Sequence, residues 1–186
     1  MPIEIDNILK VRNRVNPLRK LLKPLSHDLD GPAIKVESNN DRIVVLAAHG
    51  GGITSSEPYR DLRFSTTVKE LNAAYFEIWK KADNNRYFLD RAYLGLYQLH
   101  SYDEIPSEFL ALHCDPYDKG IHSDYKRGPH LHVMGAQDPF PHAHLALNLC
   151  HLEEVLANTS KLFEAYGKAV QMIRFQILDA MNSKQT

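Results

Sequence analysis

The chain has 186 residues, 44% hydrophobic and 24% charged, a length close to the roughly 150 residues expected of one domain. Its 22 Lys and Arg against 23 Asp and Glu leave a formal charge of −1, which argues against a protein whose main task is to coat a polyanion. No run approaches the roughly 18 apolar residues of a membrane helix, and the opening MPIEIDNILKVRNR lacks an apolar signal-peptide core. The expectation is therefore one α+β domain over 1–186, cytoplasmic and without membrane contact, with Cys114 and Cys150 reduced.

Residues 1–25 read as a helical segment. Ile5, Ile8, Leu9, Val15, Leu18, Leu21, Leu22 and Leu25 recur at helical spacing, and Asn16-Pro17 predicts two short helices or one kinked helix. The cations Lys10, Arg12, Arg14, Arg19, Lys20 and Lys23, with no acid between residues 10 and 23, read as a solvated helix face or a local basic patch. Residues 33–37 and 42–48, separated by the turn formers Ser38-Asn39-Asn40-Asp41, predict a β-hairpin.

HGGGITSSEPYRDLRFS should be a loop. Its HGGG at residues 49–52 could offer backbone amides to an anion and resembles the oxyanion loop of some esterases. No GxSxG elbow accompanies it, and Ser55 and Ser56 lie in the loop, so a serine hydrolase is not expected. A helix is expected over 66–82: Thr67 and Glu70 can form a capping box, Thr66 is a second candidate cap, and Val68, Leu71, Ala74, Tyr75, Ile78 and Trp79 follow helical spacing up to the turn signal Asp83-Asn84-Asn85.

Residues 86–100 and 108–115 are rich in aromatic and apolar residues and predict two strands, and HLHVM at 130–134 alternates as a half-buried strand does. Cys114 beside His113 suggests a thiol nucleophile, but the alternation Leu110, Leu112, Cys114 places the thiol in the core. From Leu152 to about Asn182 a broad apolar stripe predicts one long helix of roughly 45 Å. Its far end is a candidate contact for a second copy or another protein, and charges placed at Ile173 and Ile177 would then alter oligomeric mass. The fold expected is α+β, with a mixed or mainly antiparallel sheet of about five strands packed by the N-terminal helices, the middle helix and the C-terminal helix.

Most of the ten histidines fall between His100 and His151. Residues two apart on a strand share a face, so His130 pairs with His132, and HAH repeats this at His142 and His144 after the connection GAQDPFP. An antiparallel hairpin centred near Gln137 would set His130 opposite His144 and His132 opposite His142. A helix starting at Pro141 would instead separate the second pair. In the hairpin, His130, His132, His142, His144 and Asp115 are candidate ligands for a divalent metal such as zinc, manganese or iron, and Asp118, His122 and Asp124 could complete the shell. His130, His132 and His113 are candidate catalytic groups, with Arg127 and Lys126 for an anionic substrate. The chemistry that fits is hydrolysis of a phosphate ester or of a phosphodiester such as nucleic acid. The alternative is a noncatalytic ligand-binding or partner-binding subunit that docks through its C-terminal helix.

Overall fold

The computed structural model describes residues 3–47, 63–82, 86–98, 107–117, 127–133, 143–146 and 152–183. The HGGG segment with Ser55 and Ser56, the turn at 83–85, and Asp118, His122, Asp124, Lys126, His142 and Cys150 lie outside them.

The class is α+β, and the sheet is larger than expected and antiparallel in every pairing. Its strands are β1 (Glu4–Ile5), β2 (Ile34–Ser38), β3 (Arg42–Ala47), β4 (Phe64–Ser65), β5 (Leu71–Lys81), β6 (Tyr87–Gln98), β7 (Ser107–Cys114), β8 (His130–Val133) and β9 (Ala143–Ala146). The order is β2-β3-β5-β6-β7-β8-β9; β4 pairs with β5 past the end of β3, and β1 pairs with β6 past the end of β7. The β2–β3 hairpin forms as expected, closed by Asn39, whose Oδ1 accepts the amides of Asp41 and Arg42 at 3.1 and 2.9 Å.

The expected middle helix is instead the interior strand β5. Thr66 does cap, but it caps a turn: Oγ1 accepts the Val68 amide at 3.1 Å and bonds the Leu71 carbonyl at 2.9 Å. Both faces of β5 are buried, with Ala73, Tyr75 and Trp79 on one side and Ala74 and Phe76 on the other, so the alternation that marks a half-buried strand is erased. What remained was an apolar run that also fits a period of 3.6.

One face of the sheet is covered by helices α1 (Ile8–Arg12), α2 (Val15–Leu22) and α4 (Thr159–Ile173). Val11, Leu18, Leu22, Leu162, Tyr166 and Val170 meet Ile43, Val45, Tyr75, Trp79, Leu94 and Leu112 in one core. Tyr166 seals the contact, its hydroxyl donating to the Ala92 carbonyl at 2.9 Å. Two N-terminal helices form as expected, but the break falls at Asn13-Arg14, and Pro17 sits in the first turn of α2, where no intrahelical N–H is needed. Lys10, Arg12, Lys20 and Lys23 are exposed while Arg14 turns into the core, so the charge run is not a uniform solvated face.

The C-terminal helix is not continuous from Leu152. A short turn α3 (Leu152–Val155) ends before Asn158, whose side chain accepts the Lys161 amide at 3.0 Å and starts α4 anew. After α4 a π-helical stretch, Arg174–Leu178, leads into α5 (Asp179–Ser183). The wider π turn lets Ile173 and Leu178, five residues apart, both face the core. No helix among the described residues is long and apolar enough to cross a membrane.

Candidate functional site

The second face of the sheet carries the histidines. Its apolar part is Val44, Leu46, Ala74, Phe76, Tyr93, Tyr97 and Ala111. The register arranges it in rows across the strands. Phe76, Tyr93, His113 and His130 form one row, and Ala74, Gly95, Ala111 and His132 the next. The aromatic row stacks toward the histidines: Phe76 and Tyr93 lie 4.8 Å apart and nearly parallel, and Tyr93 meets His113 edge-on at 4.4 Å. The row of small residues leaves room beside it. A Cβ on Gly95 would stand 2.5 Å from the Tyr93 hydroxyl, so that side chain lies directly over the glycine.

His113, His130 and His132 come together. The His113 ring centroid is 5.5 Å from that of His130 and 4.7 Å from that of His132. The Nε2 atoms of His113 and His130 are buried. His130 is itself fully buried, and its Nδ1 lies 3.0 Å from the Gly128 carbonyl, an acceptor only; in the neutral ring Nδ1 therefore carries the proton and Nε2 the lone pair. His132 Nδ1 lies 3.0 Å from Glu108 Oε1, which selects the same tautomer in the neutral ring.

Glu108 was not among the residues expected from sequence. Five positions separate it from His113, an odd number that strict alternation would place on the opposite face. The β6–β7 register shifts between Leu96 and Tyr97, so that Leu110 pairs with Leu96 but Glu108 with Tyr97, and the one extra residue returns Glu108 to the histidine face. Its other oxygen, Oε2, accepts the Tyr93 hydroxyl. Since Tyr93 has one proton to give, the 2.6 Å contact between the Tyr93 and Tyr97 hydroxyls is donated by Tyr97. Burial first, then the electrostatic influence of Tyr97 and of the Glu108 carboxylate, pushes the Tyr93 hydroxyl far above the ordinary phenol range, so Tyr93 remains a donor.

Two groups of described residues could hold a metal ion: Glu108, His113 and His132, and His113, Asp115 and His130. Within each, the ligand atoms lie within 4.8 Å of one another. Asp115 Oδ1 accepts Arg91 Nε at 2.8 Å, which sets a half-exposed guanidinium beside the second group. Arg91, too, went unseen in the sequence, because a lone arginine on a strand carries no pattern.

The expected ligands and catalytic groups divide as follows. His113, His130, His132 and Asp115 assemble. The β8–β9 hairpin forms in place of a helix, but two residues off the expected register: His132 stands opposite His144, and His130 opposite Ala146 rather than His144. A two-residue slip keeps every residue on its face, so the polar and apolar alternation cannot choose between these registers. The observed one pairs Leu131 with Leu145. His142 lies outside the described residues. Arg127 joins neither group; its Nε contacts the Pro116 carbonyl at 3.4 Å and its own carbonyl accepts the Cys114 thiol at 3.3 Å. Cys114 is buried on the helix side, opposite Ala92, where burial pushes its thiol well up, so it is core as its alternation indicated.

The comparisons supply no relative: no family model matches the chain, and no match is found among curated proteins or solved structures.

Proposed function

We propose that the histidine face is a divalent-metal centre for hydrolysis of a phosphate ester or phosphodiester. The observation that carries this reading is the convergence of three imidazoles and two carboxylates on one patch, with ligand atoms within 4.8 Å of one another in each group of three. Imidazole and carboxylate suit zinc, manganese and iron(II). Three protein ligands leave a coordination position open, the pattern of catalytic rather than structural sites, and the chemistry such an ion supplies is a water acidified to near neutral pH.

The protein's own residues do the rest in this reading. Gly128 holds His130 in the tautomer that presents Nε2. Arg91, tethered to Asp115 and 46% exposed at its side chain, offers its remaining N–H groups to a phosphoryl oxygen. Arg127, whose Nε donates to the Pro116 carbonyl, is a positioning group for the segment that carries Gly128.

The test is elemental analysis of the purified protein alongside hydrolysis of p-nitrophenyl phosphate and bis-p-nitrophenyl phosphate. The expected result is near-stoichiometric zinc, manganese or iron and measurable hydrolysis in the wild type, with both lost in His113→Ala while the melting temperature stays within a few degrees. Metal without hydrolysis would sink the catalytic part; no metal uptake would sink the centre.

A further inference from the structure

Resting on the metal reading above, we infer that His113 is the common ligand of two alternative seats for a single divalent cation, Glu108–His113–His132 and His113–Asp115–His130, and that the first seat is the tighter. Ligands on a tetrahedral ion with bonds of about 2.1 Å lie about 3.4 Å apart. Each group of three, already within 4.8 Å, closes by side-chain adjustment on a fixed sheet.

The two groups do not merge into one. His130 and His132 are two residues apart on β8, about 6.6 Å at 3.3 Å per residue, and among the described residues no candidate group contains both. His113 stands opposite His130 on the neighbouring strand and diagonal to His132, within ring contact of each. A neutral imidazole has a single in-plane lone pair, so an ion seated on one side withdraws the His113 donor from the other.

Charge ranks the seats. Arg91 lies 2.8 Å from Asp115 and sets a positive charge beside the His113–Asp115–His130 seat, whereas Glu108 is held by the neutral Tyr93 hydroxyl and by His132. The carboxylate of the first seat is thus the less neutralised donor.

The experiment titrates the chelator-treated full chain with Zn2+ by calorimetry, in the wild type and in Glu108→Gln, Asp115→Asn, the double variant and His113→Ala, with circular dichroism as the check of folding. The expected result is one Zn2+ per chain in the wild type and in both single variants. Glu108→Gln should weaken affinity by roughly tenfold or more, Asp115→Asn by less, and the double variant and His113→Ala should bind none. Two Zn2+ per wild-type chain would overturn the shared-ligand proposal, as would a folded single variant that binds none. Absence of Zn2+ from the wild type would instead overturn the metal centre itself.

Discussion

Glu77 has no exposed surface, yet it is fully coordinated by its neighbours. Arg14 bonds both carboxylate oxygens, Nε at 3.0 Å to Oε2 and a terminal nitrogen to Oε1, while the Tyr75 hydroxyl donates at 2.6 Å and Trp79 Nε1 at 2.8 Å. The Arg14 guanidinium also lies over the Phe163 ring at 4.4 Å, tying α2 and α4 to the sheet. Breaking such a buried pair from one side leaves an uncompensated charge, so Arg14→Met should cost about 3–5 kcal/mol in denaturant unfolding. Burial alone would raise the Glu77 carboxyl, but the charge and hydrogen bonds of Arg14, then the hydrogen bonds of Tyr75 and Trp79, more than offset it and hold it below the ordinary range. A depressed carboxyl contributes stability that is present above its unfolded pKa, about 4.3, and lost as pH falls through the folded value. Glu77→Gln should therefore melt lower at pH 7 and lose less than the wild type on further acidification below about pH 4. An equal acid loss in both proteins would show that other carboxylates govern that limb.

Among the elements, β6 and β7 decide the site. Tyr93 reaches Glu108 only because Gly95 leaves the space over which its ring lies. Gly95→Ala keeps the strand but forces the hydroxyl end of Tyr93 to move, removing the donor that positions Glu108. The expected outcome is a Zn2+ affinity lower by about tenfold with a stability loss of about 1–3 kcal/mol, read by calorimetry and melting. Unchanged affinity would mean that Tyr93 does not position the carboxylate. The same strands show where pattern reading ends. Leu110, Leu112 and Cys114 announce a strand and its core face from sequence, and the structure agrees. The extra residue that brings Glu108 to the histidine face has no local signal, because it reflects the pairing of two strands and not the composition of either.

At the scale of the molecule, the sheet buries one face under helices and carries the histidine cluster on the other, and the outer surface of the C-terminal helix remains. The contact expected there at Ile173 and Ile177 needs restating: Ile173 is 6% exposed and belongs to the core, and Ile177 packs against it, so charges at those positions would unfold the domain. The exposed apolar side chains of that helix are Met172 and Phe175, at 49% and 64%. If this surface joins copies of the chain, Met172→Glu/Phe175→Glu should lower the mass found by sedimentation and leave the melting temperature within a few degrees. An unchanged mass would remove this surface from consideration.

The amino-acid sequence by itself determined the class of the fold, the β2–β3 hairpin, the helical character of the N-terminal segment, strands within residues 86–100, 108–115 and 130–134, and the placing of His130 and His132 on one strand. These follow from near-neighbour effects: turn residues, proline placement and alternation over a few positions. The tertiary structure decided what depends on partners remote in sequence. Burial on both sides turned an apparently helical run into β5, and pairing with β7, not with its own hairpin partner, set His113 and Asp115 beside His130. A bulge supplied Glu108, and a two-residue register slip moved His144 from opposite His130 to opposite His132. Local sequence specifies which face a side chain takes only relative to its own strand; which side chains meet across strands is set by register, and register is a property of the assembled sheet.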